Sequence, residues 1–168
     1  MDDSEKLLKI SKKCEVMSLI SALSANYWNI IKISFEIPLL LINSILCILN
    51  AINLHPNSMR IFNIVVNGIS VLLLSIQSKF KVPEKVELFK NLSNQFMLLN
   101  HSIENFDSSK NTINEITDKY DILLQQCKFE DIPNSLKIKI NKTYPKDSLP
   151  IQLKSLELSN CTVDVLST

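Results

Sequence analysis

Two stretches of this chain carry no charged residue, and they follow one another almost directly. The first runs from Ile37 to Met59 (23 residues) and the second from Ile61 to Ser78 (18 residues), with only Arg60 between them. At a helical rise of about 1.5 Å per residue, the first can cross a hydrocarbon core of about 30 Å and the second just reaches. A soluble domain could hold them as paired core helices, but soluble cores seldom contain two charge-free runs of this length back to back. The first run starts too far into the chain for a cleaved signal peptide. Between the runs lies Leu54-His55-Pro56-Asn57-Ser58, and its Pro, Asn and Ser have turn chemistry. The expectation is a tight transmembrane helical hairpin.

Lysine and arginine near the span ends set the orientation. The hairpin loop holds Arg60, whereas the opposite side holds Lys32, Lys79, Lys81, Lys85 and Lys90. That imbalance predicts both termini on the cytoplasmic side. Tyr27, Trp28, Phe35 and Phe80 flank the spans at positions suited to interfacial aromatics. Four Asn-x-Ser/Thr sequons, at Asn91, Asn100, Asn141 and Asn160, should then all lie in the cytosol.

The apolar runs contain amides. Asn43, Cys47, Asn50 and Leu54 share one helical face, and Asn63, Asn67, Ser70 and Gln77 share another. Folding the hairpin between Pro56 and Asn57 sets Asn50 opposite Asn63, Asn43 opposite Ser70 and Glu36 opposite Gln77. Amides in lipid need partners, and pairing across the hairpin would supply them. In the alternative, the same amides line a pore in an oligomer.

Beyond the spans the apolar spacing is that of soluble helices. Val82, Phe89, Phe96 and Ile103 recur every seven residues, with Leu92, Leu99 and Phe106 three after the last three of them. Pro83 suits a helix start or a kink. Asn105 to Ser109 forms a polar break, with Asp107 or Ser108 available as a cap. A second seam follows at Ile113, Ile116, Tyr120, Leu123 and Cys127. Two seams joined by a short polar link predict an antiparallel helical hairpin, in which Phe89, Leu92, Phe96, Leu99 and Ile103 pack against Ile116, Tyr120 and Leu123. The N-terminal segment carries its own stripe, Leu7, Ile10, Cys14 and Met17, in a helix that starts near Ser4 and could continue through Trp28 into the first span. Past Asp131, three prolines and the alternation of Leu136, Ile138 and Ile140 with lysine suggest a loosely structured tail with a weak strand signal.

The expected fold is therefore an all-α membrane protein. An N-terminal amphipathic helix takes residues 1–34, and a transmembrane hairpin takes residues 35–80, with spans at about 37–55 and 60–79. A cytosolic helical hairpin takes residues 81–130, and the tail takes residues 131–168.

Composition narrows the function classes. A net charge of +1 steers nothing toward nucleic acid, and a single glycine, Gly68, argues against phosphate-cradling loops. Lysine outnumbers arginine 17 to 1, a bias that AT-rich genomes produce. Cys14, Cys47, Cys127 and Cys161 have neither zinc spacing nor the density of a disulfide framework. His101 lies on the surface of the soluble helices with no ligand partner and reads as a solvated side chain. No catalytic, metal or cofactor set is visible, so the expectation is a non-enzymatic protein with no small-molecule substrate.

The two stretches YWNIIKISFEIPLLLINSILC and VVNGISVLLLSIQSKFKVPEKVELFKNLSNQFMLL resemble the SLATT domain. This is a two-transmembrane effector domain associated with nucleotide-sensing bacterial conflict systems. The resemblance is greatest to members encoded by large nucleocytoplasmic DNA viruses, and it covers residues 27–106. In that family the second span passes through a small-residue and Gln segment, here Ser75-Ile76-Gln77-Ser78, into a charged helix, here Lys79 to Glu87. The resemblance implies a two-span, all-α architecture and a pore-forming effector role, and it supplies no catalytic residues. Two expectations follow. One is a structural or scaffolding anchor, in a cellular or viral membrane, that self-associates or binds a membrane-associated partner through its soluble helices. The other is a pore-forming or membrane-perturbing effector.

Overall fold

The computed structural model describes residues 3–51, 56–106 and 113–154, and every regular element in them is helical. Helix α1 spans Asp3–Ala51, α2 Pro56–Lys79, α3 Val82–Glu104, α4 Ile113–Gln126, α5 Asn134–Thr143 and α6 Ile151–Lys154. Short 3-10 turns lie at Phe129–Asp131 and Lys146–Ser148. The chain divides into two compact units, one drawn from residues 1–25 and 87–168 and the other from residues 26–86.

Helix α1 is one element of 49 residues, so the N-terminal stripe and the first apolar run are not separated by a break. Asp3 and Glu5 sit in its first turn, where negative charge meets the positive end of the helix dipole. Pro38 lies inside the helix and removes one backbone donor. Helix α2 begins at Pro56, a residue preorganised for a first helical turn, so Pro56, Asn57 and Ser58 belong to the helix and not to a turn before it. The rest of the expected turn, Leu54 and His55, lies outside the described residues, as do Asp107, Ser108, Asn160 and Cys161. Lys81 ends the α2 run in the left-handed conformation, with φ of 49°. Its N–H returns to Ser78 O at 3.0 Å, and its carbonyl accepts from Lys85 N at 3.1 Å to open α3.

In the first unit, residues 3–25 of α1 run antiparallel to α3. Ser18 Oγ donates to Ser93 O at 3.1 Å, and Ser93 Oγ donates back to Ser18 O at 3.0 Å. Seven residues further along each helix, Ser11 Oγ donates to Asn100 Oδ1 at 2.7 Å. Serine against serine lets the two backbones approach closely, and the reciprocal bonds fix the register. The core is built from Cys14, Val16, Met17 and Ile20 of α1, the α3 and α4 seams, and Cys127. Phe89, Leu92, Phe96, Leu99, Ile103, Ile116, Tyr120 and Leu123 are all buried, and the Phe96 and Tyr120 rings meet edge-on with centroids 6.2 Å apart. Leu7 and Ile10, nearer the chain start, are only half-buried.

The segment after Asp131 departs from the expected loose tail. Residues 134–143 form a helix, not a strand, with Pro133 at its N-terminal boundary. Ile132, Ile140, Leu149 and Leu153 are buried, and Asn141 Nδ2 donates to Leu153 O at 3.0 Å, tying α5 to α6. Leu136 and Ile140 are four apart, so the same residues that alternate with lysine also satisfy a helical face. Residues 155–168 lie outside the described residues.

Candidate membrane-spanning unit

The unit formed by residues 26–86 turns its apolar side chains outward. Ile30, Ile33, Ile37, Leu40, Leu41, Ile45 and Ile48 of α1 are exposed. So are Ile61, Phe62, Ile64, Val65, Ile69, Val71, Leu72, Leu74 and Ile76 of α2, followed by Phe80. Only 11% of the most apolar 18-residue window of α1 is buried, and 6% of that of the second helical stretch. A core helix of a soluble protein would be mostly buried. Soluble monomers rarely expose a contiguous apolar surface of this extent. Ile30 to Ile48 spans about 27 Å along one helix and Ile61 to Phe80 about 28 Å along the other. Both helices are long and apolar enough to cross a membrane.

Burial also shows which faces turn inward. On α1 the buried or half-buried line is Phe35, Leu39, Ile42, Leu46 and Leu49, and on α2 it is Asn63, Val66, Ser70, Leu73 and Gln77. Each advances by alternating steps of three and four, the spacing of a packed helical seam. The α2 seam places Asn63, Ser70 and Gln77 seven residues apart, so every second layer is polar.

The expected amide pairs are met in part. Asn63 Nδ2 donates to Asn50 Oδ1 at 3.2 Å. Ser70 Oγ instead donates to Val66 O within its own helix at 3.0 Å, and Glu36 pairs with Lys32 at 3.6 Å. Asn43 and Cys47 are exposed, so the inward face of α1 is Leu39-Leu46 and not Asn43-Cys47-Asn50. Asn67 is exposed as well, leaving Asn63, Ser70 and Gln77 as the inward polar set of α2. The correction amounts to about one residue of helical rotation, which the polar pattern alone does not fix. Serines do not depend on the partner helix: Ser34, Ser44 and Ser75 each bond the carbonyl four residues earlier.

At the other end of the unit, Lys85 Nζ lies 4.2 Å from the centroid of the Trp28 ring, and Tyr27 meets Trp28 edge-on at 5.5 Å. Sequence reasoning had the aromatics but not this partner, because residues 28 and 85 are brought together only by the chain reversal.

Asn50 and Asn63 provide a direct test of the pairing of the two helices. In mixed micelles, Leu at either position is expected to lower unfolding stability by about 1 kcal/mol. The double variant should lose no more than the larger single change, because no amide is then left without a partner. Additive losses would show that the two amides act separately.

Burial pushes the Cys14 and Cys127 thiols up to about 12, which keeps them protonated and unreactive near neutral pH. His101 is exposed beside Asn105 and Glu104. Among the described residues no three His, Cys, Asp or Glu side chains converge on a metal site. Comparison with family models, curated proteins and solved structures gave no match.

Proposed function

We propose that residues 26–86 cross a bilayer twice as a tight helical hairpin with both termini cytoplasmic, and that the chain is a non-enzymatic membrane anchor. In this reading the helices of the other unit form the cytosolic working surface of a scaffold that self-associates or binds a membrane-associated protein. The observation that carries it is the outward apolar belt on both helices, close to the thickness of a hydrocarbon core. The Asn50–Asn63 bond supports an antiparallel hairpin. The Trp28–Lys85 contact has the composition of an interfacial anchor on the lysine-rich side. For the partner surface, Leu98 and Ile122 are exposed and border a groove of about 360 Å³ between α3 and α4.

A SLATT-like pore is the second reading, favoured by the exposed amides of Asn43 and Asn67 inside the apolar belt. Both readings require membrane insertion and differ in permeability. Translated into microsomes, the chain should resist carbonate extraction, and none of its four sequons should be glycosylated. Modification at Asn91 or Asn141 would reverse the orientation. Reconstituted into dye-loaded liposomes, the anchor should release no dye. Leakage abolished by Asn50→Leu or Asn63→Leu would favour the pore.

A further inference from the structure

The two apolar helices do not distribute their amides evenly. With the Asn50–Asn63 bond as register, residues whose numbers sum to 113 lie level across the pair. At 100° per residue, Asn43 and Asn67 each sit about 80° around from the inward line of their own helix, in the same rotational sense. Because the helices are antiparallel, equal rotations carry both side chains to the same side of the pair. Asn50 and Asn63 lean to that side too. The opposite side presents Leu41, Ile45, Phe62, Val65 and Ile69, with no amide at all.

Depth matters as much as direction. Asn67 lies level with Leu46, three residues and about 4.5 Å along the axis from Asn43. Both are within about 6 Å of the middle of the apolar belt. Among the described residues neither amide has a hydrogen-bond partner, and Asn63 Oδ1, buried in the adjoining seam, has none either. Hydrocarbon supplies no donor or acceptor, so each group must be met by another polar side chain within reach at a similar depth. The seam does not meet them: its inward positions on α1 are apolar, and Ser70 of α2, level with Asn43, donates to Val66 O within its own helix.

We infer that this amide face is the contact between two copies of the chain within the membrane. The inference rests on the two-span reading. A second copy inserted in the same sense carries the same amides at the same depths. A two-fold axis along the membrane normal then brings α1 of one copy against α2 of the other, with Asn43 facing Asn67 of the second copy and the reverse pair related by symmetry. An amide both donates and accepts, so this contact is self-complementary. Any other occupant would need polar groups placed at these two depths.

The test uses the full chain, labelled at its N-terminus with donor or acceptor fluorophore and reconstituted into phosphatidylcholine vesicles. Energy transfer in the wild type should exceed the level of random proximity and fall along a dimer dissociation curve as lipid is added. Asn43→Leu and Asn67→Leu should each weaken association about tenfold, with the double variant no weaker than the worse single one. Ile45→Ala and Ile69→Ala, on the opposite side, should leave the curve unchanged. Vesicle flotation is measured on every sample. Protein that floats with the vesicles but transfers energy only at the random level would overturn the amide contact and leave the two-span reading standing, with the face open to another protein or to water. The amide contact is equally overturned if the Ile45 and Ile69 variants weaken association as much as the asparagine ones. Protein that fails to float would overturn the two-span reading and the contact with it.

Discussion

Phe96→Asp is expected to unfold the unit built on α1, α3 and α4. The side chain is fully buried, lies against Tyr120 and occupies the centre of the eight-residue seam. Truncating such a phenylalanine costs about 3–5 kcal/mol through lost transfer energy and the cavity left behind. Aspartate adds an unpaired carboxylate with no cation in the seam to meet it, so the loss should exceed that of Phe96→Ala. Set against a typical stability of about 5–15 kcal/mol, this removes most of what holds the unit together. Circular dichroism melts of the full chain in detergent should show the unfolding of this unit lost as a transition or moved down by many degrees. An unchanged melt would mean that Phe96 is not part of a packed core. Met97, the adjacent residue in sequence, is exposed, and Met97→Asp should change the melt little.

Leu72→Arg is expected to fail in a membrane and to be harmless outside one. Leu72 is 64% exposed near the middle of α2, and an exposed leucine on a soluble helix can be replaced at a cost of about 0.5 kcal/mol or less. At the centre of a spanning helix the same arginine costs about 2.5–3.5 kcal/mol, roughly a hundredfold in the inserted fraction. The second apolar run makes the effect visible, because its 18 charge-free residues leave little surplus length with which to slide the charge to an interface. The measurement is the inserted fraction of a microsomal topology reporter carrying residues 26–86. Equal insertion of wild type and variant would argue that α2 does not cross the bilayer. In the other unit, the equivalent change at the exposed Leu98 should leave insertion of the full chain untouched.

These two substitutions also mark what could be read from the residues. The heptad recurrence of Phe89, Phe96 and Ile103, offset by Leu92 and Leu99, is visible in the chain, and all five side chains are buried. The charge-free runs are equally visible: residues 37–51 of the first lie in α1 and the whole of the second lies in α2, both with apolar exteriors. The alternation at Leu136, Ile138 and Ile140 misled because a short segment can match periods of two and of four at once, and Pro133 decides for the helix by its place at the boundary.

Sequence by itself determined the two charge-free runs, the heptad seams, the placement of charge beside the apolar helices and the existence of amides within them, because these follow from composition and period. Which way the amides point was decided only by tertiary structure. A rotation of one residue about α1 moves Asn43 from the seam to the outside, and no local property of the chain opposes it. That rotation is set by packing, with Leu39 and Leu46 filling the seam. In the other unit, the approach of α1 to α3 rests on Ser18 meeting Ser93, two residues that carry no apolar signal. Serine–serine contact between helices depends on backbones brought within reach by a core assembled elsewhere in the chain, and that distance is a property of the fold alone.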